Sequence, residues 1–201
     1  HPNGLRSFSA LLFLYTTVSA KLKKTTLEIL KDILEIEDSG DFDKAFEAYN
    51  RIYQTNPSDF EIWKHFYFFL WTAIEDAPSG FHDRINLRQK LKEMYEDGKK
   101  GFQNNTKFKF IAGWTVSIFP YEYGDYEDLE REGKELLRQA NQEQPDDKIF
   151  KMVYLGSFDS DKDEYRQAEL EARPVVINRF QGPGLLNRYF RQVLNRKNKK
   201  A

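Results

Sequence analysis

Residues 40–57 read GDFDKAFEAYNRIYQTNP, and this stretch carries the pattern on which the fold prediction rests. Gly40 allows the chain to reverse direction before the segment, and Pro57 cannot continue a helix after it. Between them, apolar side chains recur three and four positions apart, which places them on one face of a helix. Because Ala45 is small, a second helix can approach that face closely. The stretch therefore predicts the second half of a helical hairpin.

The same helical spacing runs through most of the chain, including residues 27–36, 62–70, 85–95 and 126–137. Turn or cap sequences separate these segments, and no Asn-Gly hairpin lies between alternating strands. Residues 108–119 and 174–180 are rich in β-branched and aromatic side chains, but a lone strand there would have no sheet to join. The pattern predicts an all-α protein of about nine helices, arranged as antiparallel hairpins.

Residues 40–57 also resemble the second half of a tetratricopeptide repeat, position for position. Trp63 follows Pro57 at the place where the next repeat would carry its large aromatic side chain. A second match begins at Gly124 and reaches Pro145 one helical turn late. The resemblance implies degenerate tetratricopeptide-like repeats, separated by an irregular connection over residues 78–105. We expect them to curl into one compact domain spanning residues 1–201.

The predicted core and the two ends of the chain follow from the same spacing. Residues 1–20 are read as a first helix, with a secretory signal as the alternative because an apolar run, residues 10–15, follows Arg6. Residues 195–201 are read as a frayed basic tail. No stretch approaches the ~18 apolar residues needed to span a bilayer. The core is predicted to centre on Tyr49, Trp63, Phe66, Leu70, Trp114, Phe119, Leu136 and Phe190.

The composition removes the usual residues of most enzyme sites. The 201 residues include no Cys and only three His, at positions 1, 65 and 82. No phosphate loop, zinc-protease motif or serine-hydrolase motif occurs. We therefore predict no catalytic site, no cofactor and no metal. A metal-dependent hydrolase or nuclease built on acidic residues is the alternative, although no ligand spacing supports it. The net charge of −1 argues against nucleic-acid binding.

Charge is segregated along the chain although the total is nearly neutral. Residues 31–47 carry seven acids and two bases, and residues 122–135 repeat those counts. Residues 84–109 carry eight bases and three acids. Either the acidic segments steer a basic protein partner, or the segments neutralise one another across the fold. The first reading gives the candidate partner-binding residues Glu35, Asp38, Asp41, Asp43, Asp125, Glu127 and Asp128.

Two further segments point to a class of binding proteins. GWTVSIFPY at residues 113–121 and FQGPGLLNRYFRQVL at residues 180–194 resemble segments of helical immunity proteins from bacterial toxin systems, including contact-dependent growth inhibition. The resemblance implies a cytoplasmic protein without a cofactor, which neutralises one cognate toxin by covering or distorting its active site. A secretory signal at residues 1–20 would instead imply export. A repeat-type adaptor in a larger assembly is the alternative within the binding class.

Overall fold

A computed structural model describes residues 27–195, and the regular secondary structure in that range is entirely helical. The predicted all-α class is therefore confirmed for the described chain. A short 3₁₀ helix, Pro120–Glu122, follows α6. The α-helices are α1 (27–39), α2 (Phe42–Thr55), α3 (Phe60–Asp76), α4 (Ser79–Arg84), α5 (Leu87–Phe102), α6 (Thr106–Ile118), α7 (Tyr126–Glu143), α8 (Lys148–Ser157), α9 (Lys162–Arg179) and α10 (Leu185–Val193).

Most of these helices begin at an Asp or Asn whose side chain accepts hydrogen bonds from first-turn amides. Such a cap satisfies amide groups that have no partner within the helix and contributes about 1 kcal/mol. Gly40, just before the first of these caps, has φ +77°, so the predicted chain reversal uses a conformation that glycine favours. The capping residues are Asp41, Asn86, Asn105, Asp59, Asp125, Asp147 and Asp161.

Helix α3 is the centre of the core and is buried along nearly its whole length. It packs against α2, α5, α6 and α10. The Trp63 indole stacks on Tyr67 with ring centroids 4.8 Å apart, and its Nε1 donates to the Met94 carbonyl oxygen at 2.8 Å. A Cβ on Gly98 of α5 would lie 2.4 Å from that indole, so only glycine leaves room for it. The large aromatic predicted at Trp63 is a fully buried core residue.

Helices α6 to α10 form a closed circuit of contacts with α3. Helix α6 packs on α3 and on α7, α7 on α8, α8 on α9, α9 on α10, and α10 on α3. The tightest crossing is between α6 and α7. A Cβ on Gly133 would lie 2.6 Å from the Ser117 nitrogen, and one on Gly113 would lie 2.9 Å from the Gly133 carbonyl oxygen. Two glycines therefore let the backbones of α6 and α7 touch.

The predicted core residues fall into two groups. Tyr49, Trp63, Phe66, Leu70 and Phe190 are fully buried, as predicted. The other three, Trp114, Phe119 and Leu136, are only partly buried and pack against the edge of the core.

The contacts of the three exceptions show where each side chain lies instead. Leu137 is 2% exposed and takes the interior position of α7 beside Leu136. Trp114 rests on the edge of α10 and donates from Nε1 to the Tyr189 hydroxyl at 3.2 Å. Phe119 ends α6 and stacks on Trp71.

Other predictions are confirmed or corrected along the chain. The segments over residues 108–119 and 174–180 lie in α6 and α9, as predicted, and α9 continues through Pro174. The connection over residues 78–105, which separates the two repeat-like segments, contains α4 and the 16-residue α5, so the helix predicted from the spacing of residues 85–95 is confirmed. The segments 1–20 and 196–201 lie outside the described residues. No helix within residues 27–195 has the length and apolar composition to cross a membrane.

Candidate partner-binding surface

The candidate acids near the start of the described chain are mostly engaged in contacts within the protein. Asp38 accepts from the Gly184 nitrogen at 3.1 Å and from Arg188 at 2.9 Å. Asp41 caps α2 and pairs with Lys44 at 2.6 Å. The remaining two, Asp43 and Glu35, are both exposed.

These two exposed acids differ in the quality of their ion pairs. Both carboxylate oxygens of Asp43 accept from the same Arg84 nitrogen at 2.6 Å, which joins α2 to α4. Glu35 makes a looser pair with Lys31 at 4.0 Å, within α1. Of the four candidate acids in α1 and α2, Glu35 is therefore the least constrained.

Glu37 has a structural role that the charge count missed. Its side chain is buried, accepts from the Tyr49 hydroxyl at 2.7 Å and accepts from the Leu185 nitrogen at 2.8 Å. Burial raises the pKa of Glu37 from 4.5 to about 7, although both hydrogen bonds lower it. The sequence did contain a signal, since Glu37 follows Ile33 and Leu34 at helical spacing on the apolar face.

Glu37 and Asp38 together cap α10, whose own N-cap residue has no side chain. That residue, Gly184, has φ +97°, and a Cβ there would lie 2.5 Å from the Leu34 Cδ2 atom. The Gly184 amide donates to Asp38, and the amide of Leu185, the first residue of α10, donates to Glu37. These acids therefore fasten the first described helix to the last, and Asp38 does not belong to an open binding face.

The basic segment between the two acidic segments neutralises part of each. Arg84 pairs with Asp43 in the first acidic segment. In the second, Arg88 pairs with Glu122 at 2.5 Å and Lys99 pairs with Glu132 at 2.7 Å. Three of the eight bases in residues 84–109 thus pair with acids of the two acidic segments.

The candidate acids of α7 lie on a more open part of the molecule. Asp125 caps α7, and Asp128 pairs with Arg131 within the helix. Glu127 is exposed and has no ion pair among the residues that the structure describes. Tyr121 and Tyr126 are each 54% exposed. We call this group the α6–α7 surface, and it comprises Ile118, Tyr121, Asp125, Tyr126, Glu127 and Asp128.

A shallow groove adjoins the α6–α7 surface along α7. It has a volume of about 290 Å³, and its lining includes Glu127, Glu130 and Lys134 of α7. Phe158, which follows α8 and is 38% exposed, forms another part of its lining. The groove brings an aromatic ring from a distant part of the chain beside an exposed acid, a contact that no local sequence pattern predicts.

No metal site is formed by the part of the chain that the structure describes. Within residues 27–195, no group of three or more His, Asp or Glu side chains is arranged to hold a metal ion. His65 is buried, and burial lowers its pKa from 6.5 to about 3, so the imidazole is neutral. His82 lies in α4.

The comparisons with known proteins do not assign the chain to a family. No protein family, no curated protein and no solved structure matches it.

Proposed function

We propose that this chain is a protein-binding module whose docking site is the α6–α7 surface. The observation that carries the proposal is the combination of two half-exposed tyrosines, Tyr121 and Tyr126, with Glu127, whose carboxylate has no ion pair among the described residues. Tyrosine is enriched in protein interfaces because it supplies a large apolar area and a polar hydroxyl group with few rotatable bonds. Acids near such rings favour a partner with a basic surface.

The resemblance of residues 113–121 and 180–194 to helical immunity proteins supports a more specific version of the proposal. In that version, the partner is a cognate bacterial toxin domain, and the chain neutralises it by surface complementarity. A toxin that acts on nucleic acid needs a positively charged substrate groove. An acidic surface with exposed rings can occupy such a groove and compete with the substrate. Ile118 and Tyr121 of the α6–α7 surface lie in the first of these segments.

The α1–α2 acids have a smaller part in this proposal than the sequence predicted. Asp38, Asp41 and Asp43 already hold helices or helix ends together. Removing them from those contacts to meet a partner would cost the fold some stability. We therefore place the binding energy at Tyr121 and Tyr126 and assign long-range steering to Glu127.

The experiment starts from the gene immediately upstream, because immunity genes lie beside the toxin genes they protect against. The C-terminal domain that this neighbour encodes is expressed together with the full chain, and cell growth is measured. We expect the chain to restore growth, Tyr126→Ala to reduce protection, and Glu47→Lys to leave it unchanged. Glu47 is a matched control because it is exposed on α2 and has no ion pair among the described residues.

Two outcomes count against the proposal. If the chain neither binds the neighbouring domain nor protects cells from it, the immunity function is wrong. If the chain protects but Tyr121→Ala, Tyr126→Ala and Glu47→Lys all protect equally well, the α6–α7 surface is not the docking site. Circular dichroism of each variant confirms that a loss of protection does not reflect loss of the fold.

A further inference from the structure

A cavity of about 340 Å³ lies among α3, α6, α8, α9 and α10, on the circuit that these helices close. None of its lining residues belongs to the α6–α7 surface. Pockets that hold small molecules have volumes of roughly 300 to 1,000 Å³ and combine an apolar lining with a few polar groups. The cavity lies at the lower end of this size range, so its lining decides which class of ligand it would suit.

Aromatic rings form the floor of the cavity. Phe110 of α6 and Phe150 of α8 stack with ring centroids 4.8 Å apart. Phe180, just after α9, stacks on Phe190 at the same distance. Phe190, which is fully buried and does not line the cavity, lies 5.5 Å from Phe110 and so connects the three lining rings. A flat aromatic body can pack on such a floor in the offset or edge-on arrangements that rings favour.

The charged side chains that line the cavity have a net charge of one positive unit. Its lining contains three cations and two acids. The two acids are occupied, because Glu61 pairs with Lys64 and Asp147 pairs with Arg179 at 2.8 Å. Lys107 is exposed and has no ion pair within the described residues. The lining therefore favours an anion, and Lys107 is the group free to meet it.

The dipoles of the helices around the cavity add to its preference for an anion. The first turns of α3, α6, α8 and α10 contribute lining residues, so the positive ends of four helix dipoles lie near it. First-turn amides of α3, α6 and α8 already donate to Asp59, Asn105 and Asp147. The charge of a ligand would consequently meet the Lys107 ammonium group rather than bare amides.

We propose that this cavity is a binding site for a small planar aromatic anion. The ligand's ring system packs on Phe110, Phe150 and Phe180, and its carboxylate, sulfonate or phosphate group lies beside Lys107. Arg179, whose guanidinium lies 5.6 Å from the centre of the Phe150 ring, closes one side of the site while it remains paired with Asp147. This site goes beyond the proposed protein-binding function and does not depend on it.

The test uses two fluorescent probes with the same ring system. Anilinonaphthalene sulfonate carries an anionic group, whereas N-phenylnaphthylamine has the same rings without the charge. Each is titrated into the full-length chain under native conditions. We expect saturable binding of the sulfonate at one site, about tenfold tighter than binding of the uncharged probe, because one charge-assisted hydrogen bond has this magnitude.

A pair of charge reversals locates the site. Lys107→Glu should weaken sulfonate binding about tenfold or more, since it replaces the free cation with an anion. Lys100→Glu is the matched control, because Lys100 is exposed on α5, outside the cavity lining, and has no ion pair among the described residues. Equal binding of the two probes, equal binding by the two variants, or no saturable binding would each overturn the proposal.

Discussion

Replacing Glu37 by Gln should change how the stability of the protein depends on pH. In the folded protein the pKa of Glu37 is about 7, against 4.5 for an ordinary glutamate, because its side chain is buried. The folded state therefore holds a proton that the unfolded state has released between these two values. By linkage, this group makes the protein less stable as the pH rises through that window.

His65 has the opposite effect over nearly the same window. Its pKa is about 3 in the folded protein, against 6.5 for an ordinary histidine. The unfolded state therefore binds the extra proton, and this group makes the protein more stable as the pH rises. Between about pH 5 and pH 6.5, each group changes the free energy of unfolding by about 2 kcal/mol, with opposite signs. The two contributions nearly cancel in the wild type.

Urea denaturation at several pH values, followed by circular dichroism, measures this balance. Relative to the wild type, Glu37→Gln should become more stable by about 2 kcal/mol as the pH rises from about 5 to 6.5. His65→Gln should lose about the same amount of stability relative to the wild type over this pH range, because the effect of Glu37 is then no longer offset. The carboxylates with lowered pKa, such as Glu135 and Glu143, titrate below this window and do not interfere. If the Glu37→Gln and wild-type profiles run parallel, Glu37 does not titrate in the folded protein as argued.

Three further substitutions test the packing and the surface ion pairs by urea denaturation. Gly133→Ala should destabilise the protein by about 2 kcal/mol, because its methyl group would lie 2.6 Å from a backbone nitrogen of α6. By contrast, Gly101→Ala should stabilise α5 by about 0.5 to 1 kcal/mol, because the new methyl group meets nothing within 4 Å. Equal effects of the two would contradict the close α6–α7 crossing. Trp63→Ala should lower the free energy of unfolding by about 3 to 5 kcal/mol, and Trp114→Ala should lower it by less, because only Trp63 is fully buried. The reverse order would show that the core is wrongly placed. Asp43→Asn should cost less than about 1 kcal/mol, because both partners of its ion pair are half-exposed, and a larger loss would mean that this pair anchors α4.

The sequence predicted the helices well because their limits are encoded locally. Asp41 and Asp59 cap helices, Gly40 reverses the chain, and apolar spacing marks the buried faces. The burial of Trp63 followed from the same local pattern. Such signals lie within a few residues of the feature they specify, so one amino-acid sequence is enough to interpret them.

Features made by distant residues were not predicted. The close contact of Gly113 with Gly133 depends on how α6 and α7 cross, and the capping of α10 by Glu37 joins opposite ends of the described chain. The acids of the α6–α7 surface were predicted from charge, but the exposure of Tyr126 was not, because helical spacing had placed it on the buried face. Periodicity identifies an apolar stripe without showing whether another helix covers it.

The central claim is that the α6–α7 surface binds a basic protein partner, and the association rate tests it most directly. The rate is measured with the purified domain encoded by the neighbouring gene, at low and at high salt. Glu127→Lys should slow association at low salt and flatten its salt dependence, whereas Glu47→Lys should follow the wild type more closely. If Glu127→Lys associates at the wild-type rate with the wild-type salt dependence, the acids of α7 are only solvated, and the docking site lies elsewhere.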